Sequence, residues 1–206
     1  MVIAVDGPAA SGKGTLARRL AAHYGLRHLD TGLLYRAVGL LAQSSGQDPV
    51  KVAENLTLSD LESPDLRGDA AAQAGSRVAA SPPVRAALRG VQHRFAAKPP
   101  GAVLDGRDIG TVVFPEAPVK LYIDAGLEDR ARRRHKELIG RGLESIYSRV
   151  LQDMKERDAR DRGRTVAPLT PAKDALVIDS SKLDADAVFS RAVAYIDRVL
   201  PSLRRV

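Results

Sequence analysis

The sequence lacks cysteine and tryptophan altogether, and aromatic residues make up only 4% of its 206 positions. Without cysteine there is no disulfide, no thiolate metal site and no cysteine nucleophile. With so few rings the core must be built mostly from Ala, Leu and Val. Long apolar runs are also missing. Met1–Val5 is too short to be the apolar region of a signal peptide, and no stretch approaches the length of a membrane-spanning helix. The four histidines are scattered, with no metal-ligand spacing. These absences point to a cytoplasmic chain with no membrane partner.

What is present suits a folded domain. Hydrophobic residues are 44% of the chain, enough for a substantial core, and the length fits one domain spanning 1–206. The formal net charge is +7, which favours anionic partners. The excess is concentrated. Residues 130–164 hold twelve Lys and Arg against six Asp and Glu. A solvated helix face laced with i,i+4 ion pairs would account for part of this segment. Clustered arginine points beyond that, to a phosphate-binding surface.

The order of elements reads as α/β with a mainly parallel, five-stranded sheet flanked by helices. Short apolar strands are expected at 1–5, 27–30, 102–104, 119–123 and 175–178. Helices are expected at 13–24, 33–43, 77–95 (interrupted or started afresh at Pro82-Pro83), 127–139, 143–162 and 185–199. The last should turn Val188, Ala192, Ile196 and Val199 to one face. The segment 47–75 holds Pro49, Pro64 and Gly68 and no sustained period, and reads as a short insertion or a helix–loop–helix passage.

Gly7-Pro8-Ala9-Ala10-Ser11-Gly12-Lys13 has the G-x-x-x-x-G-K spacing of a Walker A loop, between an expected strand and an expected helix. Glycines let successive backbone N–H groups face one anion, and the helix adds the positive end of its dipole. Lys13 then reaches the β- and γ-phosphates. The loop continues Gly14-Thr15, where the general pattern has Ser or Thr directly after the lysine. This G-K-G-T form is associated with nucleoside monophosphate kinases. By itself the loop implies nucleotide binding and no particular reaction.

Three further segments narrow the choice. Leu29-Asp30-Thr31-Gly32-Leu33-Leu34-Tyr35-Arg36 follows the second strand, and Leu104-Asp105-Gly106-Arg107-Asp108-Ile109-Gly110-Thr111 follows the third. The run from Glu156 to Arg164, ERDARDRGR, closes the basic helix. Open α/β sheets bind ligands at the carboxyl ends of their strands, where the first two segments fall. With GPAASGKGT, DGRDIGTVVFPEAPVKLYIDA and DALVIDSS, these motifs resemble the bacterial cytidylate kinase family over nearly the whole chain.

That resemblance implies a kinase that transfers the γ-phosphoryl group of ATP, with Mg²⁺, to CMP or dCMP. It implies a P-loop core (7–15), a nucleotide-acceptor insertion (about 47–80) and a mobile lid (about 130–164), acting as a monomer. Arg36, Arg107 and Arg164 match positions that hold the acceptor phosphate. Arg157 and Asp161 match residues near the acceptor ribose. Ser76, Arg85 and Asp108 match residues around the cytosine ring, with Thr31 and Tyr35 lining the same pocket. Arg130, Arg133 and Arg134 match lid arginines that reach the transferring phosphates, Arg133 on the ATP side. Asp105 is suited to hold water around Mg²⁺, with Thr15 as the P-loop hydroxyl; a helix cap or a partner for Arg107 is the other reading. The resemblance departs at Ser59–Gly75, short and Ala-rich where the family carries a larger, partly β-stranded insertion. Two rivals remain: another small-acceptor P-loop kinase, of shikimate or dephospho-coenzyme A type, and a nucleic-acid-binding protein. The first would lack DGRD and ERDARDRGR. Against the second, the arginines alternate with Asp and no aromatic stacking surface accompanies them.

Overall fold

A computed structural model describes residues 1–203. Five strands form one parallel sheet: β1 (Val2–Asp6), β2 (Arg27–Asp30), β3 (Ala102–Gly106), β4 (Val119–Asp124) and β5 (Leu176–Asp179), in the order β2-β3-β1-β4-β5. β1 and β3 are buried along their whole length, as expected for apolar strands covered on both faces. The helices are α1 (Lys13–Tyr24), α2 (Thr31–Ser45), α3 (Pro49–Asn55), α4 (Asp69–Val78), α5 (Pro82–Ala97), α6 (Leu127–Gly140), α7 (Tyr147–Arg162) and α8 (Ala185–Val199).

Alternate side chains of the strands feed two cores. Ala4, Leu29 and Leu104 point toward α2, α3 and α5; Ile3, Val5, Leu121 and Ile123 point toward α1 and α8. Val188, Ala192 and Ile196 bury the expected face of α8, but Val199, in its last turn, is exposed. A third, smaller cluster joins α6 and α7 through Ala131, Leu138, Val150 and Met154, and packs against Ala9 and Ala10 of the P-loop.

The segment 47–75 takes the helix–loop–helix form, one of its two expected readings. Asp48 caps α3, accepting from Val50 N at 2.6 Å, with Pro49 in the first turn; short 3₁₀ turns follow at Ser59–Leu61 and Pro64–Arg67, and then α4. Residues read as breakers act here as helix starts. The helical stretch 77–95 starts afresh at Pro82, as its prolines suggest, and so is two helices. Arg77 and Val78 end α4, and Pro82, which has no N–H to give, opens α5. The helix expected from Leu143 begins instead at Tyr147.

α4 is held tightly against α2. A Cβ on Gly39 of α2 would lie 2.7 Å from the Ala74 backbone, and one on Gly75 of α4 would lie 2.9 Å from Arg36 N. Two helices therefore meet almost backbone to backbone, which fixes Ser76 relative to Arg36.

Candidate active site

The carboxyl ends of β1, β2 and β3 open into a cleft of about 800 Å³. Its floor is the P-loop. Gly7 has φ 151°, and a Cβ there would sit 2.1 Å from the Ile123 carbonyl, so only glycine lets β1 turn so close to β4. Gly12, at φ 91°, turns the loop into the start of α1. Ala9, Ala10, Gly12, Lys13, Gly14 and Thr15 line the cleft; Pro8 and Ser11 support it from behind, Pro8 O accepting from Lys13 Nζ at 3.2 Å and Ser11 O from Ser180 Oγ at 2.9 Å. Burial, with Arg107 adding to it, pushes the Lys13 ammonium down to about 7. The negative charge of a bound polyanion would outweigh both effects.

Asp105 lies beside the first turn of α1. A Cβ added at Gly14 would be 3.5 Å from its Oδ2, and its Oδ1 is 2.7 Å from His28 Nε2 on β2. The partner of Asp105 is thus His28, a residue with no role read from the sequence, and not Arg107. Thr31 donates to the Asp105 carbonyl at 2.8 Å. Asp30, paired in register with Asp105, caps α2 through Gly32 N. Thr15, Asp105 and Asp30 all face the cleft, whereas no group of three or more His, Cys, Asp or Glu among the described residues forms a metal cage. That donor set fits a hydrated Mg²⁺ carried mainly by nucleotide phosphates.

The opposite wall is cationic. Asp161, buried on α7, accepts from Arg107 Nε at 3.0 Å and from Arg164, while Arg157 Nε stands 4.0 Å away. Arg36 reaches the Leu66 carbonyl at 3.0 Å. Three guanidiniums thus converge near a single carboxylate, and Arg36 lies close enough to Arg107 and Arg157 to feel their charge. The Nε atoms of Arg36, Arg157 and Arg164 are buried without a hydrogen-bond partner among the described residues. Burial, then Arg107, pulls Arg157 down to about 9. Such a deficit of negative charge and acceptors marks an anion site.

Beyond it, Arg85 and Asp108 form a buried ion pair, with the Arg85 guanidinium 5.5 Å from the Tyr35 ring centre. Burial pushes the Tyr35 hydroxyl up to about 12. Asp6 positions this wall. Its carboxylate accepts from Ile109 N at 2.8 Å and Gly110 N at 2.7 Å, holding the turn that follows Asp108. Burial lifts Asp6 to about 7. Ser76 projects from α4 into the same region.

The three arginines of α6 read as lid residues divide. Arg133 and Arg134 line the cleft, the first also bound to Ser180 and the second to Asp69 and Glu137. Arg130 does not join them, which corrects the expectation of a phosphate-reaching arginine. It is 2% exposed, and its fork is taken up by Asp158, the Ala125 carbonyl and the Ala9 carbonyl of the P-loop. Its desolvation is compensated by those partners, and it ties α6 and α7 to the P-loop.

With this geometry in hand, comparison with known proteins is decisive. The pattern of the cytidylate kinase family matches residues 3–63 and 56–198, two stretches that overlap at 56–63. The chain belongs to that family. A cytidylate kinase of Paramagnetospirillum magneticum is 59% identical, covering 95% of this chain and 97% of its own. One from Xanthobacter autotrophicus is 57% identical, covering 96% and 97%. Among solved structures, an uncharacterized protein from Eubacterium ventriosum aligns at TM-score 0.57 and 18% identity, over 96% of this chain and 98% of that one. A gluconokinase from Sinorhizobium meliloti aligns at 0.51 and 17%, over 98% and 94%. These two likenesses concern the fold alone.

Proposed function

We propose that this chain phosphorylates CMP and dCMP at the expense of ATP, yielding CDP or dCDP and ADP. Membership of the cytidylate kinase family supports the reaction. The observation that carries the acceptor side is the group Arg36, Arg107, Arg157 and Arg164, short of anionic partners and adjacent to Ser76, Arg85 and Asp108. A phosphate with nearly two charges supplies what those guanidiniums lack, and a cytosine ring suits the neighbouring donors and carboxylate.

ATP would lie along the P-loop, with Lys13 against its β- and γ-phosphates and Arg133 on the ATP side. Mg²⁺, when bound, supplies charge neutralisation on the phosphate oxygens; Thr15 and Asp105 would hold it through water. An acceptor phosphate oxygen attacks the γ-phosphorus as the bond to the β–γ bridging oxygen breaks, and ADP leaves. No general base is needed because the attacking oxygen is already ionised. Arg107, Arg134 and Arg164 would neutralise charge on the transferring group, and closure of 130–164 would exclude the water that otherwise hydrolyses ATP. Arg157 and Asp161 would meet the ribose, and Thr31 and Tyr35 would frame the pocket. The donor and acceptor sides of the cleft both lie on this chain, which suits a monomer; the same reading makes it a cytoplasmic enzyme without a nucleic-acid partner.

The test is an acceptor screen with ATP and Mg²⁺. CMP and dCMP should both turn over and AMP should be a poor acceptor. Equal rates for AMP and CMP would refute the assignment.

A further inference from the structure

Arg160 does not line the cleft. It reaches from α7 to α4, where its Nε donates to Ser76 Oγ at 3.3 Å and a terminal nitrogen donates to Gln73 Oε1 at 2.7 Å. Ser76 and Gln73 do line the cleft, and Ser76 is 4% exposed. They lie three residues apart on α4, one turn of helix, and so share a face.

We infer that Arg160 is a specificity-determining residue, which acts by fixing the hydrogen-bond polarity of Ser76 and Gln73. A guanidinium has donors and no acceptor. Its bond to Ser76 therefore occupies a lone pair of the hydroxyl and leaves the O–H free to donate. Its bond to Gln73 requires the amide oxygen to face Arg160, which turns the amide NH₂ the other way. Two neighbouring side chains that could each have accepted are thereby set as donors. The pyrimidine edges differ in the matching property. Cytosine presents two adjacent acceptors, N3 and O2. Uracil carries a hydrogen on N3, so the same pair of donors would meet an N–H. A site built to satisfy one pattern rejects the other, because a mismatched donor is left buried and unpaired.

The arrangement also ties selectivity to closure. Arg160 sits on the helix that carries Arg157 and Asp161, and its partners sit on the insertion. Donor polarity is set only when α7 lies against α4. The insertion here is short, and a contact from the lid helix takes over part of the orienting of Ser76.

The inference rests on the reading of Ser76 as a base contact, and the experiment separates the two. Arg160→Met keeps the apolar stem and removes the donors. kcat and KM for CMP and for UMP would be measured for Arg160→Met, Ser76→Ala, the double variant and Arg160→Lys, with circular dichroism confirming the fold. Arg160→Met should lower the CMP-over-UMP ratio of kcat/KM by about tenfold, mainly through KM for CMP. Arg160→Lys should recover part of it, since one ammonium serves two acceptors less well. In the Ser76→Ala background the Arg160 change should cost clearly less than it does alone. Full additivity, or an unchanged ratio in Arg160→Met while Ser76→Ala lowers it, would overturn the inference and leave the base-site reading standing. An unchanged ratio in Ser76→Ala would remove the base-site reading itself.

Discussion

Arg157 Nε stands 4.0 Å from Asp161 Oδ2, close enough for attraction and too far for a hydrogen bond. Asp161 is already committed to Arg107 and Arg164. The carboxylate is therefore the keystone of a cluster that repels itself. Burial works to raise its pKa, but Arg107, then Arg164 and Arg157, outweigh burial and hold it below the usual range. Because the folded value is depressed, its contribution to stability is present above the ordinary carboxylate range and is lost as pH falls below about 4. Asp161→Asn should destabilise the ligand-free protein by roughly 3–5 kcal/mol, the cost of leaving buried charges uncompensated. Inorganic phosphate or CMP should return part of that loss. Denaturant titrations with and without CMP measure both effects, and a variant as stable as the parent would contradict the keystone role.

Lys13 makes the opposite trade. Its ammonium is buried against one carbonyl, and burial with Arg107 lowers it to about 7. Lys13→Met should therefore leave the fold intact and raise the melting temperature of the ligand-free protein, while cutting kcat by about 10²–10³, the usual loss for a preorganised group at a site of developing charge. A variant keeping half its kcat would refute the P-loop role.

The same residue predicts a proton linkage. Between pH 7 and its ordinary value near 10.5, free Lys13 is largely neutral, and a triphosphate beside it draws the proton back. ATP binding at about pH 8 should take up close to one proton, and affinity should fall as pH rises above 7, by at most about tenfold per unit. Calorimetry in two buffers of different ionisation enthalpy counts the protons. Lys13→Met should show no such uptake.

Which features were legible in the sequence follows from how local their causes are. The P-loop, the five strands and the helices α1, α2 and α8 declare themselves through short apolar runs and glycines. Asp105, Asp108, Arg157 and Arg164, picked out by their motifs, line the cleft. The segment 47–75 read only as an insertion or a helix–loop–helix passage, because Pro49 looks like a breaker and serves as a helix start behind the Asp48 cap. Arg130 misled for a different reason. An arginine in a basic run looks available, and its partner Asp158 lies on the next helix, 28 residues on. His28, Gln73 and Arg160 were invisible for the same cause: each acquires meaning only from a contact made across the fold.

Asp108→Asn should weaken discrimination more than catalysis. The carboxylate balances the buried Arg85 and offers the acceptor that a cytosine amino group needs. An amide keeps the shape and still offers a carbonyl, but its NH₂ can turn toward either neighbour. The CMP-over-UMP ratio should fall by about tenfold. An unchanged ratio with a collapsed kcat would move Asp108 into the phosphate machinery.

The segment 130–164, proposed as a lid, should be the least stable part of the ligand-free protein. α6 and α7 share a small apolar cluster, separate from the two cores on the sheet. What holds their outer ends to the insertion is polar: Arg134 with Asp69, Arg141 with the Arg67 carbonyl at 2.9 Å, and Arg160 with Gln73. Pairs of this partly exposed kind contribute little and weaken with salt. The arginines that face the cleft repel one another until an anion arrives. ATP analogue and CMP together supply that charge and should shift 140–164 toward the closed, ordered state. Hydrogen exchange should show protection rising there well above any rise in α8, which makes no contact with the cleft. Raising the salt concentration without ligand should loosen the same segment first. A uniform rise across both regions would mean general stabilisation by binding, and 130–164 would then not be a lid.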